Sequence, residues 1–228
     1  HAERPEQGLL QLRQALKAFV NLRPVRVWPS ISHASPLKPE VIEGADFVVV
    51  RELTGGIYFG RPRGIKTGRR GEKAFNTEVY HRFEVERIAR FAFDLALRKA
   101  KGAPKDGRRR VTLVEKSNVL RSFHFFREIF GQVARQYPGV EAENLYVDAA
   151  AAALVMKPEH FQVIVTENMF GDILSDLGGA TIGGLGMCPS SNVGDERAYF
   201  EPIHGSAPDL IGKNRANPLS QIMAAAMM

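Results

Sequence analysis

The hydrophobic residues of this chain recur in two patterns that alternate along its length. Apolar positions at helical spacing predict a first helix that ends at residues 21–23, ahead of Pro24. The same spacing predicts further helices at residues 77–101, at 119–136, from 171 to 177, and at 217–228. Short apolar runs predict strands at residues 47–50, 111–114 and 161–166. Because helices and strands alternate, we expect an α/β fold.

Two segments rich in glycine, proline and basic residues interrupt these patterns, at residues 61–73 and 98–110. They carry much of the formal net charge of +6. An excess of positive charge is compatible with three kinds of binding partner: nucleic acid, a membrane surface or an anionic small molecule. Neither segment contains interleaved aromatic side chains that stack on bases, so we interpret both as solvated loops and expect no nucleic-acid partner.

The composition is that of a globular protein, since 44% of the 228 residues are hydrophobic and 25% are charged. The longest apolar run, residues 149–156, is shorter than the roughly 20 residues that cross a bilayer, so we expect no membrane segment. Cys188 is the one cysteine, which excludes an intrachain disulfide and favours a reducing, cytoplasmic setting. Because the chain starts ahead of one predicted helix and stops inside another, we expect a fragment of a longer protein.

Two aspartates, Asp172 and Asp176, lie four residues apart in a predicted helix and therefore share one face. Their carboxylates can bind one divalent cation, and hard oxygen ligands favour Mg²⁺ or Mn²⁺ over zinc. Two unpaired carboxylates on one face repel each other, so a cation or a basic partner is expected. The alternative is an acidic pair that stabilises the helix N-terminus, with Asp172 in the first turn.

Two further sets of residues suit the binding of anionic ligands. Arg13, Arg23 and Arg51 suit a di- or tricarboxylate, because guanidinium groups bind carboxylates bidentately, although each is individually compatible with a surface position. Residues 201–209 (EPIHGSAPD) combine small residues with an aspartate, so a ligand can approach the backbone closely. A plain turn is the alternative. The glycines at residues 183–186 lack the spacing of the Rossmann fingerprint.

Five separated motifs, in order along the whole chain, resemble those of the 3-isopropylmalate dehydrogenases. They are RPEQGLLQLR at residues 4–13, NLRP at 21–24, RELTGGIYFG at 51–60, NMFGDILSD at 168–176 and HGSAPD at 204–209. The wider group is the β-decarboxylating dehydrogenases, to which the isocitrate, homoisocitrate and tartrate dehydrogenases also belong.

The resemblance implies a two-domain α/β fold of the isopropylmalate/isocitrate dehydrogenase type, whose sheet is not a Rossmann sheet. Residues 1–18 and 183–228 would belong to an incomplete cofactor-binding domain, and residues 19–182 to a second domain with the metal site and the dimer interface. It further implies that the N-terminal part of the fold, roughly 70–80 residues, lies outside this sequence.

The resemblance also implies an activity, the oxidative decarboxylation of 3-isopropylmalate with NAD and Mg²⁺ or Mn²⁺ in leucine biosynthesis. The enzyme would be a homodimer with shared active sites. The implied substrate contacts are Arg13, Arg23, Arg51, Glu6, Leu9 and Leu10; the proton-transfer groups are Tyr58 and, from the second subunit, Lys116. The implied metal ligands are Asp172 and Asp176, with Asp148 of the second subunit. The implied cofactor contacts are Asn118, His204, Gly205, Ser206, Ala207, Asp209, Leu210 and Asn217.

Single residues refine these expectations. Asp209 and Leu210 stand where NADP-using members carry Lys and Tyr, and a carboxylate repels a 2′-phosphate, so NAD is favoured. Leu9 and Leu10 favour a branched alkyl tail by about 1–3 kcal/mol, although both also suit the core of a helix. The alternatives are D-malate, tartrate or homoisocitrate as substrate, or a non-catalytic regulatory homologue.

Overall fold

A computed structural model describes the backbone from residue 5 to residue 228 and the side chains from residue 8 onward. The helices are α1 (Pro5–Ala15), α2 (Pro39–Ile42), α3 (Arg82–Arg98), α4 (Arg121–Ala134), α5 (Val147–Met156), α6 (Asn168–Thr181) and α7 (Leu219–Ala226). The strands are β1 (Val20–Arg26), β2 (Asp46–Glu52), β3 (Gly64–Gly68), β4 (Gly71–Phe75), β5 (Arg110–Glu115), β6 (Glu141–Tyr146), β7 (Val163–Thr166), β8 (Pro189–Val193) and β9 (Ala198–Pro202).

Seven of these strands form one mixed sheet in the order β6-β5-β7-β2-β1-β8-β9. The strands from β6 to β2 are parallel, whereas β2, β1, β8 and β9 pair antiparallel. This order differs from that of a Rossmann sheet, in which the strands are parallel and run 3-2-1-4-5-6. The predicted α/β fold without a Rossmann sheet is therefore confirmed.

Helices cover both faces of the sheet and bury one apolar cluster on each face. Strand β2 shows the pattern, since Val48 and Val50 face the cluster of α3 and α4, whereas Phe47 and Val49 face the cluster of α5 and α6. A strand that is buried on both faces needs an uninterrupted apolar run. This requirement explains why residues 47–50 were recognisable as a strand.

The first predicted helix is too long. Helix α1 ends at Ala15, Lys17 takes a left-handed φ of 51°, and β1 begins at Val20. The apolar residues after Ala15 mimic helical spacing, but β1 gains hydrogen bonds from two neighbouring strands, which outweigh that local preference. Pro24 is tolerated inside β1 because β8 pairs only with residues 20–22, so its missing N–H faces no strand.

The prediction of a loop at residues 61–73 is wrong. This basic segment forms most of a β-hairpin that consists of β3 and β4. Gly68 pairs with Gly71 across a two-residue turn, and Gly71 takes a left-handed φ of +90° that glycine adopts readily. The hairpin is almost fully exposed. The segment at residues 98–110 does connect α3 to β5 largely as irregular chain.

The other predicted elements are present with shifted ends, and β6, β8 and β9 were not predicted. Strand β8, in the segment after residue 183, hydrogen-bonds to β1, so the sheet continues across the predicted domain boundary. The division into two domains stays a prediction. Among the described residues, no helix combines the length and the apolar composition that crossing a bilayer requires.

Candidate active site

Helix α6 carries both aspartates and begins at an N-cap formed by Glu167. The Glu167 carboxylate accepts hydrogen bonds from the backbone N–H groups of Met169, at 2.9 Å, and Phe170. These bonds satisfy donors that a helix N-terminus leaves unpaired. The helix therefore starts three residues earlier than predicted, at Asn168, and Asp172 lies in its second turn rather than its first. Stabilisation of the helix N-terminus consequently does not account for Asp172.

Arg23 and Arg51 meet because β1 and β2 are antiparallel neighbours. Arg23 lies opposite Val49, and Arg51 is two residues further along β2, so both side chains emerge on the same face of the sheet. Helix α6 packs on that face against both strands. The register of the two strands thus brings two arginines, 28 positions apart in sequence, to the aspartates of α6.

The two guanidinium groups bind the two carboxylates in one network. Arg51 Nη1 donates to Asp172 Oδ1 at 2.5 Å, and Arg23 Nη1 lies 3.2 Å from Oδ1 of both Asp172 and Asp176. Arg23 Nη1 also donates to Ser175 Oγ at 2.7 Å. The Arg51 and Arg23 side chains are 1% and 7% exposed, whereas those of Asp172 and Asp176 are 38% and 50% exposed. The positive charges are therefore buried beneath a carboxylate pair that solvent reaches.

The two aspartates differ in the direction in which the protein shifts their pKa values. Burial alone raises the pKa of Asp172, but the charges of Arg51 and Arg23 and a hydrogen bond from Tyr58 outweigh it, so this pKa lies below its ordinary value. For Asp176 burial dominates over the charge of Arg23, and the pKa is raised. Asp172 is thus the carboxylate held most firmly in its charged form.

Tyr58 faces the same carboxylate from a turn that follows β2. Its hydroxyl donates to Asp172 Oδ2 at 3.0 Å. The turn is built on Gly56, which has a φ of +77° and whose carbonyl accepts from the N–H groups of Phe59 and Gly60. Burial, followed by the negative charge of Asp172, raises the pKa of Tyr58 to about 12. The phenol therefore keeps its proton at neutral pH and can act as a proton donor.

A cleft of about 500 Å³ opens beside this network and brings together residues from all five sequence motifs. This volume suits a small organic ligand. The cleft is lined by Leu9, Leu10, Arg13, Arg23, Arg51, Tyr58, Asp172, Glu201, Pro202, Ile203, His204 and Gly205.

Helix α1 contributes two apolar residues and one arginine to this cleft. Leu9 and Leu10 are half-buried, and Arg13 is buried, with its Nε donating to the Tyr199 hydroxyl at 3.3 Å. The side chain of Glu6, the other residue predicted to face an isopropyl group, lies outside the described side chains. The leucines therefore supply an apolar wall near the charged network.

Lys116 and Asp148 form a separate pair at the ends of neighbouring strands. Lys116 Nζ lies 2.7 Å from Asp148 Oδ1, and this hydrogen bond lowers the pKa of Asp148. Asp148 is mostly exposed. Neither residue lines the cleft, and across residues 8–228 no hydrogen bond or ion pair links either of them to Asp172 or Asp176.

The residues predicted to bind the cofactor are mostly exposed. His204 and Gly205 line the cleft, and His204 Nε2 lies 2.9 Å from Ser220 Oγ at the start of α7. Ala207 has a left-handed φ of 44° ahead of a short 3₁₀ turn. The exposed predicted residues outside the cleft lining are Asn118, Ser206, Ala207, Asp209, Leu210 and Asn217.

Glu201 also lines the cleft, although the sequence pattern assigned it no role. Its Oε1 accepts from Asn192 Nδ2 at 2.9 Å, and Asn192 Oδ1 accepts from Asn21 Nδ2 at 2.9 Å. Both asparagines are fully buried. The only sequence signal for Glu201 is its place three residues before His204, at the start of a motif already quoted.

Asp172 and Asp176 fit a hard divalent cation as two of its ligands. They present solvent-accessible carboxylate oxygens on one helix face, the donor type that Mg²⁺ and Mn²⁺ prefer. Within the described side chains, no cluster of three or more His, Cys, Asp or Glu could complete a site. A cation held here therefore needs further ligands from water, a bound acid or another subunit.

Glu167, the N-cap of α6, gives the site a pH-dependent stability. Burial raises its pKa from about 4.5 to about 7, so the folded protein binds this proton more tightly than the unfolded chain. The contribution is complete below pH 4.5 and is lost as the pH rises through 7. We expect the free energy of unfolding to fall from pH 5 to pH 8 by about 2–3 kcal/mol more in the wild type than in Glu167→Gln.

Urea unfolding at four pH values across this range measures that difference. Glu43→Gln, which changes an exposed glutamate, is the control and should leave the wild-type difference in place. Parallel pH profiles for the wild type and Glu167→Gln contradict the assignment of this proton to Glu167.

Comparisons with known proteins identify the family of this chain. A family model described as "Isocitrate/isopropylmalate dehydrogenase" matches residues 1–228. The chain is 50% identical over its whole length to a 3-isopropylmalate dehydrogenase of Chlorobaculum tepidum, of which it covers 62%. It is 53% identical to the chloroplastic 3-isopropylmalate dehydrogenase 2 of Arabidopsis thaliana, matching 99% of this chain and 54% of that protein.

Among solved structures, isocitrate dehydrogenase from Methylococcus capsulatus superposes on 96% of this chain with a TM-score of 0.83 and 39% identity, and 60% of that chain is covered. The chain thus spans about three fifths of the length of the relatives that it matches.

Proposed function

Because this chain belongs to the isocitrate/isopropylmalate dehydrogenase family, we propose that the protein oxidatively decarboxylates 3-isopropylmalate with NAD and Mg²⁺ or Mn²⁺, a step of leucine biosynthesis. The observation that carries the proposal is one cleft in which buried Arg23 and Arg51, the carboxylate of Asp172 and the protonated Tyr58 lie together. The similar proteins named 3-isopropylmalate dehydrogenase support the choice of substrate.

The arginines bind the two carboxylates of the acid. A guanidinium group has five N–H donors, and the described contacts of Arg51 use two of its nitrogens, on Asn168 and Asp172. Nη2 of Arg23 makes no hydrogen bond within the described side chains, and it is not among the buried unpaired atoms. Donors therefore remain for a dicarboxylate, which the excess of positive charge in the cleft also favours.

The chain's own residues then orient the acid and move its protons. When bound, NAD would accept the hydride from C2 and the divalent cation would polarise the oxygens of the acid. Lys116 from a second subunit takes the proton of the C2 hydroxyl. Tyr58, held protonated against Asp172, returns a proton to C3 after CO₂ leaves.

We place the active site between two copies of the chain. Asp172 and Asp176 supply two ligands. Asp148, which is mostly exposed, forms with the half-buried Lys116 a pair available to another subunit. A homodimer in which each subunit completes the other's site accounts for both features.

The apolar wall of the cleft selects the substrate. Leu9 and Leu10 favour an isopropyl group over hydrogen, a hydroxyl or a third carboxylate, by about 1–3 kcal/mol. The test is kcat/KM of the full-length protein for 3-isopropylmalate, D-malate, tartrate, homoisocitrate and isocitrate, with NAD and with NADP. We expect 3-isopropylmalate with NAD to be preferred by about 10-fold or more. A preference for unsubstituted malate rejects the isopropyl assignment, and no turnover with any acid favours a non-catalytic homologue.

Asp209 is our candidate for the choice of NAD over NADP. It lies in the exposed segment that follows the cleft residues His204 and Gly205. A carboxylate there accepts from a free ribose 2′-hydroxyl and repels a 2′-phosphate. The two cofactors in the substrate panel test this assignment directly.

Tyr58→Phe is expected to lower kcat by about 100-fold, because the substitution removes a proton donor and preserves the ring. Tyr137→Phe is a matched control, since the Tyr137 hydroxyl donates to Asp94 at 3.0 Å, the distance that separates Tyr58 from Asp172. We expect wild-type kcat for the control. Equal kcat values for Tyr58→Phe and Tyr137→Phe argue against Tyr58 as the proton donor.

A further inference from the structure

Asn168, the first residue of α6, joins three parts of the cleft through one buried amide. Its Oδ1 accepts from Arg51 Nε at 2.9 Å. Its Nδ2 donates to the carbonyls of Leu53 and Gly55, at 3.2 and 3.0 Å, in the turn that leads to Tyr58. The residue is fully buried and is not part of the cleft lining, so it acts on the cleft only through its neighbours.

Gly171, one turn further along α6, leaves the space that the stem of Arg51 occupies. A Cβ atom at this position would lie 2.6 Å from Arg51 Cγ and 2.7 Å from Arg51 Cβ, closer than carbon atoms approach. These atoms are next to the β2 backbone, so a rotation of the distal side chain cannot relieve the contact. The first two turns of α6 therefore constrain Arg51 at its stem and at its Nε.

Arg51 needs such constraints because its positive charge is buried close to two other positive charges. Its guanidinium is buried and lies near those of Arg23 and Arg13, and both effects lower its pKa, to about 10, while Asp172 partly compensates. Like charges in a poorly solvated site separate unless other contacts hold them. Asp172 holds Nη1 of Arg51, and Asn168 holds Nε.

We propose that Asn168 and Gly171 are positioning residues. Both hold the Arg51 guanidinium in the geometry that binds the substrate, and Asn168 also holds the turn that carries Tyr58, which returns the proton to C3. Asn168 therefore determines the positions of both Arg51 and Tyr58, whereas Gly171 determines only the position of Arg51. This inference rests on the proposed function for its kinetic consequences, but the placement of Arg51 can be measured without turnover.

The chain offers a matched control for each position. Gln162 is an equally buried amide at the other end of β7, where its Nε2 donates to the carbonyls of Ala96 and Lys101, away from the cleft. Gly131 is a glycine within α4 with open space where a Cβ atom would lie. Gln162→Leu and Gly131→Ala therefore repeat the chemical changes of Asn168→Leu and Gly171→Ala without touching Arg51.

The experiment compares the kinetics and crystal structures of these four variants in the full-length protein. Gly171→Ala is expected to raise KM about 10-fold or more with kcat within about threefold of the wild type, because an ångström of displacement at a binding group is costly. Asn168→Leu is expected to raise KM similarly and also to lower kcat about 10-fold, because it releases the turn of Tyr58. The controls should match the wild type in both constants.

The outcomes separate this inference from the proposed function. If the wild type turns over none of the acids, the proposed function fails, and the crystal structures still decide whether Arg51 has moved from Asp172 in Gly171→Ala. If the wild type is active but Gly171→Ala and Asn168→Leu match their controls, positioning by α6 is wrong. Should Asn168→Leu fail to fold, the KM and structure of Gly171→Ala decide alone.

Discussion

Asp172→Asn is expected to reduce kcat/KM by about 1,000-fold or more. This carboxylate is the shared acceptor of Arg51, Arg23 and Tyr58, and we propose it as a metal ligand. An amide of the same shape removes the negative charge that balances two buried guanidinium groups, and it offers N–H donors to groups that are themselves donors. The variant should therefore lose cation binding, arginine geometry and the orientation of Tyr58 together.

Two measurements check this expectation. Calorimetric titration with Mg²⁺ or Mn²⁺ in the absence of substrate should show weaker binding, and initial rates should show the loss of kcat/KM. Asp94→Asn is the control, because Asp94 also accepts a tyrosine hydroxyl, from Tyr137, but lies outside the cleft lining. Activity above a tenth of the wild-type value in Asp172→Asn removes Asp172 from the proposed chemistry.

The features that the sequence predicted well are those set by short-range patterns. The four-residue spacing of Asp172 and Asp176 requires only that a helix forms there, and both carboxylates do face one arginine, Arg23. The spacing left open whether a cation or a basic residue balances the two carboxylates. Among the described contacts the basic residue is Arg23. Strand β2 was recognisable because burial on two faces leaves no polar position in residues 47–50.

The convergence of the arginines was not predictable from spacing. Arg23 was expected near the end of a helix, whereas it lies in β1, and its approach to Arg51 depends on the pairing of β1 with β2. That pairing is a tertiary interaction between residues 20 to 32 positions apart, and it outweighs the helical spacing of the residues before it. The resemblance to known enzymes grouped the arginines, but the local pattern did not.

Asn168 and Glu201 lie inside or beside quoted motifs, but no local pattern assigns either of them a role. A buried amide or carboxylate becomes interpretable only when its partners are known, because polar residues in a sequence are mostly exposed. Asn168 occurs within a motif whose aspartates are more conspicuous, and its partners, Arg51 and the carbonyls after β2, lie more than a hundred positions away. Such residues act through other side chains, so spacing rules for catalytic groups do not detect them.

Lys116→Met is expected to lower kcat by about 100-fold to 10,000-fold, because it removes the proposed acceptor of the hydroxyl proton and keeps most of the length of the side chain. The pair of Lys99 with Asp46, at 3.0 Å, provides the control variant Lys99→Met. This control breaks a similar lysine–aspartate contact elsewhere on the fold and should retain wild-type kcat. Wild-type turnover of Lys116→Met contradicts the proposed role of Lys116.

Mixing two inactive variants tests whether Lys116 serves the site of the other subunit. In a dimer of Lys116→Met with Asp172→Asn, one site receives an intact Asp172 from the first subunit and an intact Lys116 from the second. Random pairing makes about half of the dimers mixed, each with one intact site, so roughly a quarter of wild-type activity should return after subunit exchange. Asp172→Asn mixed with Asp176→Asn should recover none, because both changes affect the part of the site that each subunit supplies to itself. If neither mixture recovers activity, then Lys116 and Asp172 belong to the site of a single subunit, or Lys116 lies outside the site.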